Sequence, residues 1–349
     1  MLQKPGSRGA IGFALVAFLA HAQGPSQVGP SQIAPPQPAQ AQAAVPKTAP
    51  PQPKPIDIGA REAPLSDAER ADLDRAVTKH NYAAEKAVID RAMTEHPDSF
   101  ELLIMAGRLG YLEKNPKDSA DALARADKIK PIGDTDRMTM ALALSFSDRL
   151  PQARVEMLKL IKADARNAEY YFLLGRMDAN GSHPEDAARE YAKAIELDPT
   201  MVRAYENLGQ AQESLNLPDE ARKTYEQGVL RNRANKVHWE WSPLDLAVFL
   251  LKANDLDEAD KLLRESLQYN PRLGWAHYHM GQLFQKQGKE AEAMTEYKEA
   301  VVDDPRLRQA WLALGRQFTR QGNKAQADRA LEIFKQLEAQ DNARQGKRN

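Results

Sequence analysis

From residue 66 onward, apolar and small residues recur at helical spacing in paired short segments. The segment from Ala168 reads AEYYFLLGRMDANGSHPEDAAREYAKAIELDP. Tyr171, Leu174 and Gly175 fall on one face of a first helix, and Ala187, Tyr191, Ala194 and Ile195 on one face of a second. The polar stretches 180–186, 216–220 and 254–258 predict turns between the two helices of a pair. Asp-Pro, Asn-Pro and His-Pro pairs near the segment ends predict where second helices stop, because a residue before proline avoids helical geometry. Small residues such as Gly175 and Ala187 allow two helices to approach closely, and aromatics such as Tyr191 fill the gap to the next pair.

The same punctuation returns every 34 residues. Tyr171, Leu174 and Gly175 become Tyr205, Leu208 and Gly209, and Ala187 and Tyr191 become Ala221 and Tyr225. After four extra residues the spacing resumes with Ala259, Leu263 and Pro271, then Gly281, Ala293, Tyr297 and Pro305, then Trp311, Leu314, Gly315 and Ala327. Backwards it lands on Ala141, Ala153 and Met157, on Gly107, Leu123, Ala126 and Pro131, and on Ile89, Ala92 and Pro97. Windows starting near 66, 100, 134, 168, 202, 240, 274 and 308 therefore fill residues 66–341, with a polar tail at 342–349. No such unit can bury its own apolar faces, so the units must stack. The predicted fold class is all-α, with one array in place of several ordinary domains.

This pattern resembles the tetratricopeptide repeat over residues 66–341, most completely at 168–199 and closely at 202–233 and 274–305. The resemblance implies a right-handed superhelical solenoid of antiparallel helix pairs, whose first helices line a groove for peptides or partner proteins. Arg166 and Arg233 stand where a closing proline is usual, and the first window is degenerate, as expected of a cap with a polar outer face. If the resemblance holds, groove positions lie one, four, eight, eleven and twelve places after each window start. In the fifth window these are polar (Arg203, Glu206, Gln210, Glu213); in the sixth and seventh they are Trp241, Leu244, Val248, Trp275 and Tyr278. Lys252, Lys286, Arg316 and Arg320 lie beyond them. Aromatic anchors edged by cations suit a peptide carrying an acidic group; the competing reading is that Trp241 and Trp275 pack between helices. Ser242 reads as the N-cap of a helix with Pro243 in its first turn, which assigns the four extra residues to an enlarged loop carrying Trp239 and Trp241. Some members of the family clamp a terminal carboxylate with Lys and Asn in three successive units. Arg176, Asn180, Glu206 and Gln210 form an incomplete version, and Glu206 has the wrong sign.

The N-terminal part is a different kind of chain. Lys4 and Arg8 precede an uncharged apolar run, Ala10 to Ala20, and Ala20-His21-Ala22 places small residues where a signal peptidase reads. As a helix that run would extend about 16 Å against roughly 30 Å of hydrocarbon, so residues 1–22 are expected to be an export signal, an uncleaved anchor being the alternative. The expected location is periplasmic or secreted. Eleven of the 22 prolines fall between residues 25 and 64, and the Pro/Gln/Ala-rich stretch 23–65 is expected to be a disordered, extended tether. A ligand for an SH3-like or WW-like domain is the sharper alternative there. No later segment is apolar for long enough to span a membrane.

Charge and chemistry narrow the function. Lys and Arg total 48 against 49 Asp and Glu, a net charge of −1, which argues against a nucleic-acid binder. The absence of cysteine excludes disulfides, thiolate metal sites and a cysteine nucleophile. His277 and His279 are two apart, about 200° round a helix, and so do not share a metal face. Neither H-E-x-x-H nor G-x-S-x-G is present, and Gly281 to Lys289 has six residues between its glycines where a P-loop has four. The expectation is an exported scaffold or adaptor that binds a protein or peptide partner in its groove, with no cofactor, no metal and no catalysis. The alternative is a cell-envelope carbohydrate binder stacking sugars on Trp241, Trp275 and Tyr278.

Overall fold

The computed structural model describes residues 63–345; the expected signal and most of the tether, residues 1–62, lie outside the described part. Sixteen helices and no strand occur among the described residues. None is long and apolar enough to cross a membrane. The chain divides into two compact units, one ending at Ser147 and one beginning at Asp148.

The first unit holds α1 (Asp67–Thr78), α2 (Tyr82–Glu95), α3 (Phe100–Leu112), α4 (Pro116–Ile129) and α5 (Asp134–Phe146). Its first helix starts on a capping box. The Glu69 amide donates to the Ser66 hydroxyl, and the Ser66 amide donates to the Glu69 carboxylate at 2.9 Å. Ala63 and Leu65, which composition assigns to the tether, are packed: Ala63 is 1% exposed, its carbonyl accepts from Arg70 at 2.6 Å, and both join Leu73, Ile89 and Leu102 in one core. The packed part therefore includes residues ahead of the first repeat window at 66.

The second unit begins with α6 (Leu150–Ala163). The pairs α7 (Ala168–Asn180) and α8 (Pro184–Leu197), then α9 (Val202–Ser214) and α10 (Pro218–Ala234), follow it. After them come α11 (Trp241–Lys252) with α12 (Leu256–Tyr269), α13 (Gly274–Lys286) with α14 (Glu290–Asp303), and α15 (Arg308–Arg320) with α16 (Lys324–Gln345). Each pair packs on itself and on the next in chain order. Leu262, Leu263, Ala276 and Met280 join one continuous core through α11, α12 and α13, and Tyr297, Val301, Leu307 and Leu314 carry a second through α14 and α15. Helix α16 runs on to Gln345, through residues that composition assigns to the tail. No glycine or proline interrupts Lys324–Gln345, so nothing stops the helix at residue 341.

One backbone device recurs in every window. The residue fourteen places after each window start has positive φ: His80, Lys114, Asp148, Ser182, Asn216, Asn254, Gly288 and Gly322. These are the left-handed residues that end first helices. The next amide closes each turn back onto the helix, as in His183 N to Asp178 O at 2.9 Å, Leu217 N to Gln212 O at 2.9 Å and Lys289 N to Phe284 O at 2.9 Å. Close approach of the paired helices uses glycine: a Cβ on Gly209 would lie 2.5 Å from the Tyr225 ring, and one on Gly281 equally close to Tyr297.

The four extra residues are not simply loop. Helix α10 has 17 residues where α8, α12 and α14 have 14, so three of them lengthen the helix. Residues 235–240 then turn through left-handed Lys236 and His238. Trp241 is the first residue of α11, and Glu240 occupies the cap position without a side-chain capping bond. Ser242 is therefore not the N-cap. It is buried with its hydroxyl unpartnered, 3.6 Å from where a Cβ on Gly228 would sit; smallness against α10, not capping, accounts for serine there.

Candidate functional site

The first helices α9, α11, α13 and α15 place their predicted groove residues in two different environments. On α9, the Glu206 carboxylate is 6% exposed and accepts from the Trp239 indole at 3.0 Å, while its other oxygen has no partner. Asn232, wholly buried on α10, holds Trp239 in place: its amide donates to the Trp239 carbonyl at 2.9 Å and its oxygen accepts from the Trp239 amide at 3.0 Å. Half-buried Asp245 of α11 faces the same region and accepts weakly from Gln210 at 3.5 Å. Burial, reinforced by the Asp245 charge, pushes the Glu206 carboxyl well above the usual carboxylate range. Burial and the Glu213 charge push Asp245 up to about 7. Glu213 itself is held by Tyr225 at 2.8 Å and by Lys252 at 2.6 Å. This region is acidic and internally tied.

The predicted anchors on α11 are largely spent on packing. Leu244 is 2% exposed and belongs to the core, so it cannot line a groove; Trp241 and Val248 are half-buried against the same core. A first-helix position facing the neighbouring pair needs an apolar side chain as much as a ligand surface does, and the sequence pattern does not separate the two. Trp275 is also half-buried and bridges both cores. It stacks on the His279 ring at 5.9 Å and meets Tyr278 edge-on at 6.0 Å. Burial holds the His279 imidazole down at about 4, so it is neutral at pH 7 and donates from Nδ1 to Gln282 at 2.8 Å. Lys286 is exposed, 3.5 Å from Asn254.

A cleft of about 150 Å³ opens beside these residues, between α13 and α15. It brings together three of the predicted residues, Tyr278, Arg316 and Arg320. Trp241, Leu244, Val248, Trp275 and Lys286 do not line it. Gln282 and Gln285 from α13 and Gln309, Leu312 and Ala313 from α15 complete its walls, and Tyr297 of α14 contributes from below. Gln282, Gln285, Gln309 and Leu312 sit at the same window places as the predicted groove residues, so the period contained them; they lack the aromatic or charged character that draws notice. The Gln282 amide donates to the Tyr278 hydroxyl at 2.8 Å. With its oxygen turned to Arg320, the Gln285 carboxamide accepts from both guanidinium nitrogens, at 2.9 and 3.2 Å, and donates to the Tyr297 hydroxyl at 2.9 Å. Burial raises the Tyr278 phenol, with the Arg316 charge opposing. No group of three His, Asp or Glu side chains placed to hold a metal occurs among the described residues.

The fold and this cleft define a stacked helical-hairpin protein whose exposed first helices carry its distinctive chemistry. Residues 178–236 and 244–307 match the tetratricopeptide repeat family. Among solved structures, yeast Tom70 is similar at a TM-score of 0.54 and 18% identity, covering 79% of this chain and 61% of that one. A tetratricopeptide repeat protein from Parabacteroides merdae is similar at 0.54 and 15% identity, covering 68% and 96%. Both likenesses establish the fold. The human protein O-mannosyl-transferase TMTC3 is 25% identical over 153 residues, 40% of this chain and 16% of the relative, and its mouse counterpart matches equally. The chain thus spans about a sixth of the length of the curated relatives it matches.

Proposed function

We propose that the protein is an interaction scaffold or adaptor of the cell envelope, which holds segments of partner proteins against the first helices α13 and α15 and carries out no catalysis. The observation that carries this is the open cleft between two successive first helices, lined by aromatic, amide and guanidinium groups. The match to the tetratricopeptide repeat family at 178–236 and 244–307 supports it. Export rests on the apolar run 10–20 and the small residues that follow it. The mannosyl transfer named for the human relative is not carried over, since the likeness takes in only 16% of that protein. Sugar stacking on Trp241 and Trp275 is less well supported, because both rings are half-buried in the core.

Photo-crosslinking in envelope extract, comparing wild type with a Gln309→Ala/Leu312→Ala pair, tests the reading. Crosslinked partners that disappear in the pair are expected. An identical partner set in both would rule out the α13–α15 surface.

A further inference from the structure

The junction between α9 and α11 gathers acids that no cation neutralises. Glu206 is 6% exposed, and one of its oxygens is sealed from water without a hydrogen-bond partner. Facing it are Asp245 of α11, Glu240 of the preceding turn and Arg203 of its own helix. Arg203 is already committed: its guanidinium is bonded to Glu169 of α7, on which Arg176 also acts, and lies 4.5 Å over the Phe172 ring. Glu240 accepts from the Asn270 amide at 3.3 Å. Facing Asp245 are Glu213 and Gln210 of α9 and Lys252 of its own helix. Lys252 donates to Glu213 at 2.6 Å, and on α13 it faces His279, which is neutral at pH 7. From α10 the Tyr225 phenol, whose pKa is raised by burial and by these acids, donates to Glu213 at 2.8 Å. The two nearby cations, Arg203 and Lys252, are thus each bonded to a different carboxylate. A sealed carboxylate without a counter-charge resists ionisation, and a second acid beside it makes ionisation of both harder.

The same acids form the contact between the two first helices. The Trp239 indole donates to Glu206 at 3.0 Å, Gln210 meets Asp245 at 3.5 Å, and Lys252 reaches across to Glu213. Each of these three ties ends on a carboxylate. Behind them α10 and α11 meet through apolar side chains: Tyr225 and Val229 share one core with Leu244 and Ala247, and the Tyr225 ring centre lies 5.8 Å from that of Phe249. The junction therefore has an apolar fulcrum and a titratable rim. We propose that the α9–α11 contact is a proton-operated hinge: the two first helices close on each other while Glu206 and Asp245 are protonated, and part about the α10–α11 core as those carboxyls ionise beside Glu213 and Glu240. A protonated carboxyl can donate as well as accept, so a neutral Asp245 tolerates the Glu213 charge that repels it once ionised. An ion pair would tighten as its carboxylate ionised; unpaired acids do the opposite. Burial and the Glu213 charge hold the Asp245 carboxyl up at about 7, which sets the opening near neutrality, on the alkaline side. The hinge does not depend on what the first helices bind.

The chain has no cysteine, so Ser214→Cys and Ala253→Cys, at exposed positions ending α9 and α11, place spin labels at two sites only in the full chain. Pulsed electron–electron double resonance reads the distance between them. It is expected to lengthen by about 2 Å from pH 5 to pH 9, the scale of helix shifts in switching proteins, with a midpoint near 7. Adding Glu206→Gln/Asp245→Asn is expected to give the short distance at both pH values. Asp245→Asn alone is expected to remove the change near neutrality, and it replaces the pair if the pair does not fold. A distance that stays constant with pH while the melting temperature varies would assign the two acids to stability alone and overturns the proposal. So does a lengthening that survives Asp245→Asn. Labels on Lys286→Cys and Gln321→Cys, at the ends of α13 and α15, flank a cleft that no carboxylate lines. Their distance is expected to stay constant, and an equal change there overturns the hinge in favour of a general loosening.

Discussion

Glu206 keeps a carboxylate oxygen away from both water and any partner, beside a second acid, Asp245, in a region where desolvation outweighs every nearby cation. Both carboxyls have folded pKa values raised above their unfolded ones. Their contribution to stability is therefore fully present below about pH 4, the unfolded range, and is lost as pH rises through the folded value, about 7 for Asp245. Glu206→Gln and Asp245→Asn are expected to flatten the fall in urea midpoint between pH 4 and pH 8 and to raise stability at pH 8; an unchanged slope would show that the two carboxyls do not share this burial. His277 behaves in the same sense for another reason. Burial works against its charge, but Nδ1 donates to Glu296 at 2.7 Å and Nε2 to the Pro271 carbonyl at 3.1 Å, and these raise its pKa above 6.5. Its contribution is complete below pH 6.5 and is lost as pH rises through the raised folded value. Titration of His277 by NMR is expected to give a midpoint above 6.5, and His277→Gln to remove the alkaline-side loss. Neither effect was legible in the sequence, where Glu206 reads as one polar groove position among several and His277 as one of two nearby histidines that share no face.

Helices and their pairing were legible because 34-residue spacing constrains two periodicities at once, apolar faces within helices and small residues between them. Gly281 and Tyr297 illustrate this: the sequence pairs them by offset, and the structure has the ring where a Cβ would lie. Gly281→Ala is expected to cost about 1–2 kcal/mol, since displacing a ring that is 1% exposed outweighs the gain of alanine over glycine in a helix. Urea unfolding measures it, and a stabilised variant would mean that Tyr297 yields. Turn geometry was only partly legible. Gly288, Gly322 and Asn216 announce a left-handed residue, whereas His80, Lys114 and Ser182 adopt it in the same short turn between the two helices of a pair without a composition that signals it. The cap of α11 was misread for a similar reason: Ser242-Pro243 has the composition of a helix start, but Asn232 grips Trp239 and the helix starts two residues earlier. Site residues were the least legible, because large apolar side chains at first-helix positions serve core and groove alike. Tyr278, Arg316 and Arg320 reached the cleft, and Leu244 went to the core.

At the scale of the molecule, each pair depends on its neighbour for cover. Met294, Ala300 and Val301 of α14 pack with Leu307, Ala310 and Leu314 of the following segment. A chain ending at residue 307 is expected to bind a hydrophobic dye and to lose the cooperativity of its thermal transition, and a truncated chain that melts like the intact one would refute this dependence. Before residue 63 the test is chemical: mass measurement of the mature protein is expected to find Gln23 or a near neighbour first, and an intact Met1 would sink the expectation of export. The lengthened α10 and its Asn232–Trp239 clasp bear on how such a chain folds at all. Units that share Tyr, Gly and Ala at the same offsets are nearly interchangeable partners, and misassembly between like units is a hazard of repetitive chains. A helix three residues longer than the second helices on either side of it, followed by a turn anchored by Asn232, acts as a key cut for one lock: it makes this junction unlike its neighbours and so disfavours assembly of the units in a shifted register.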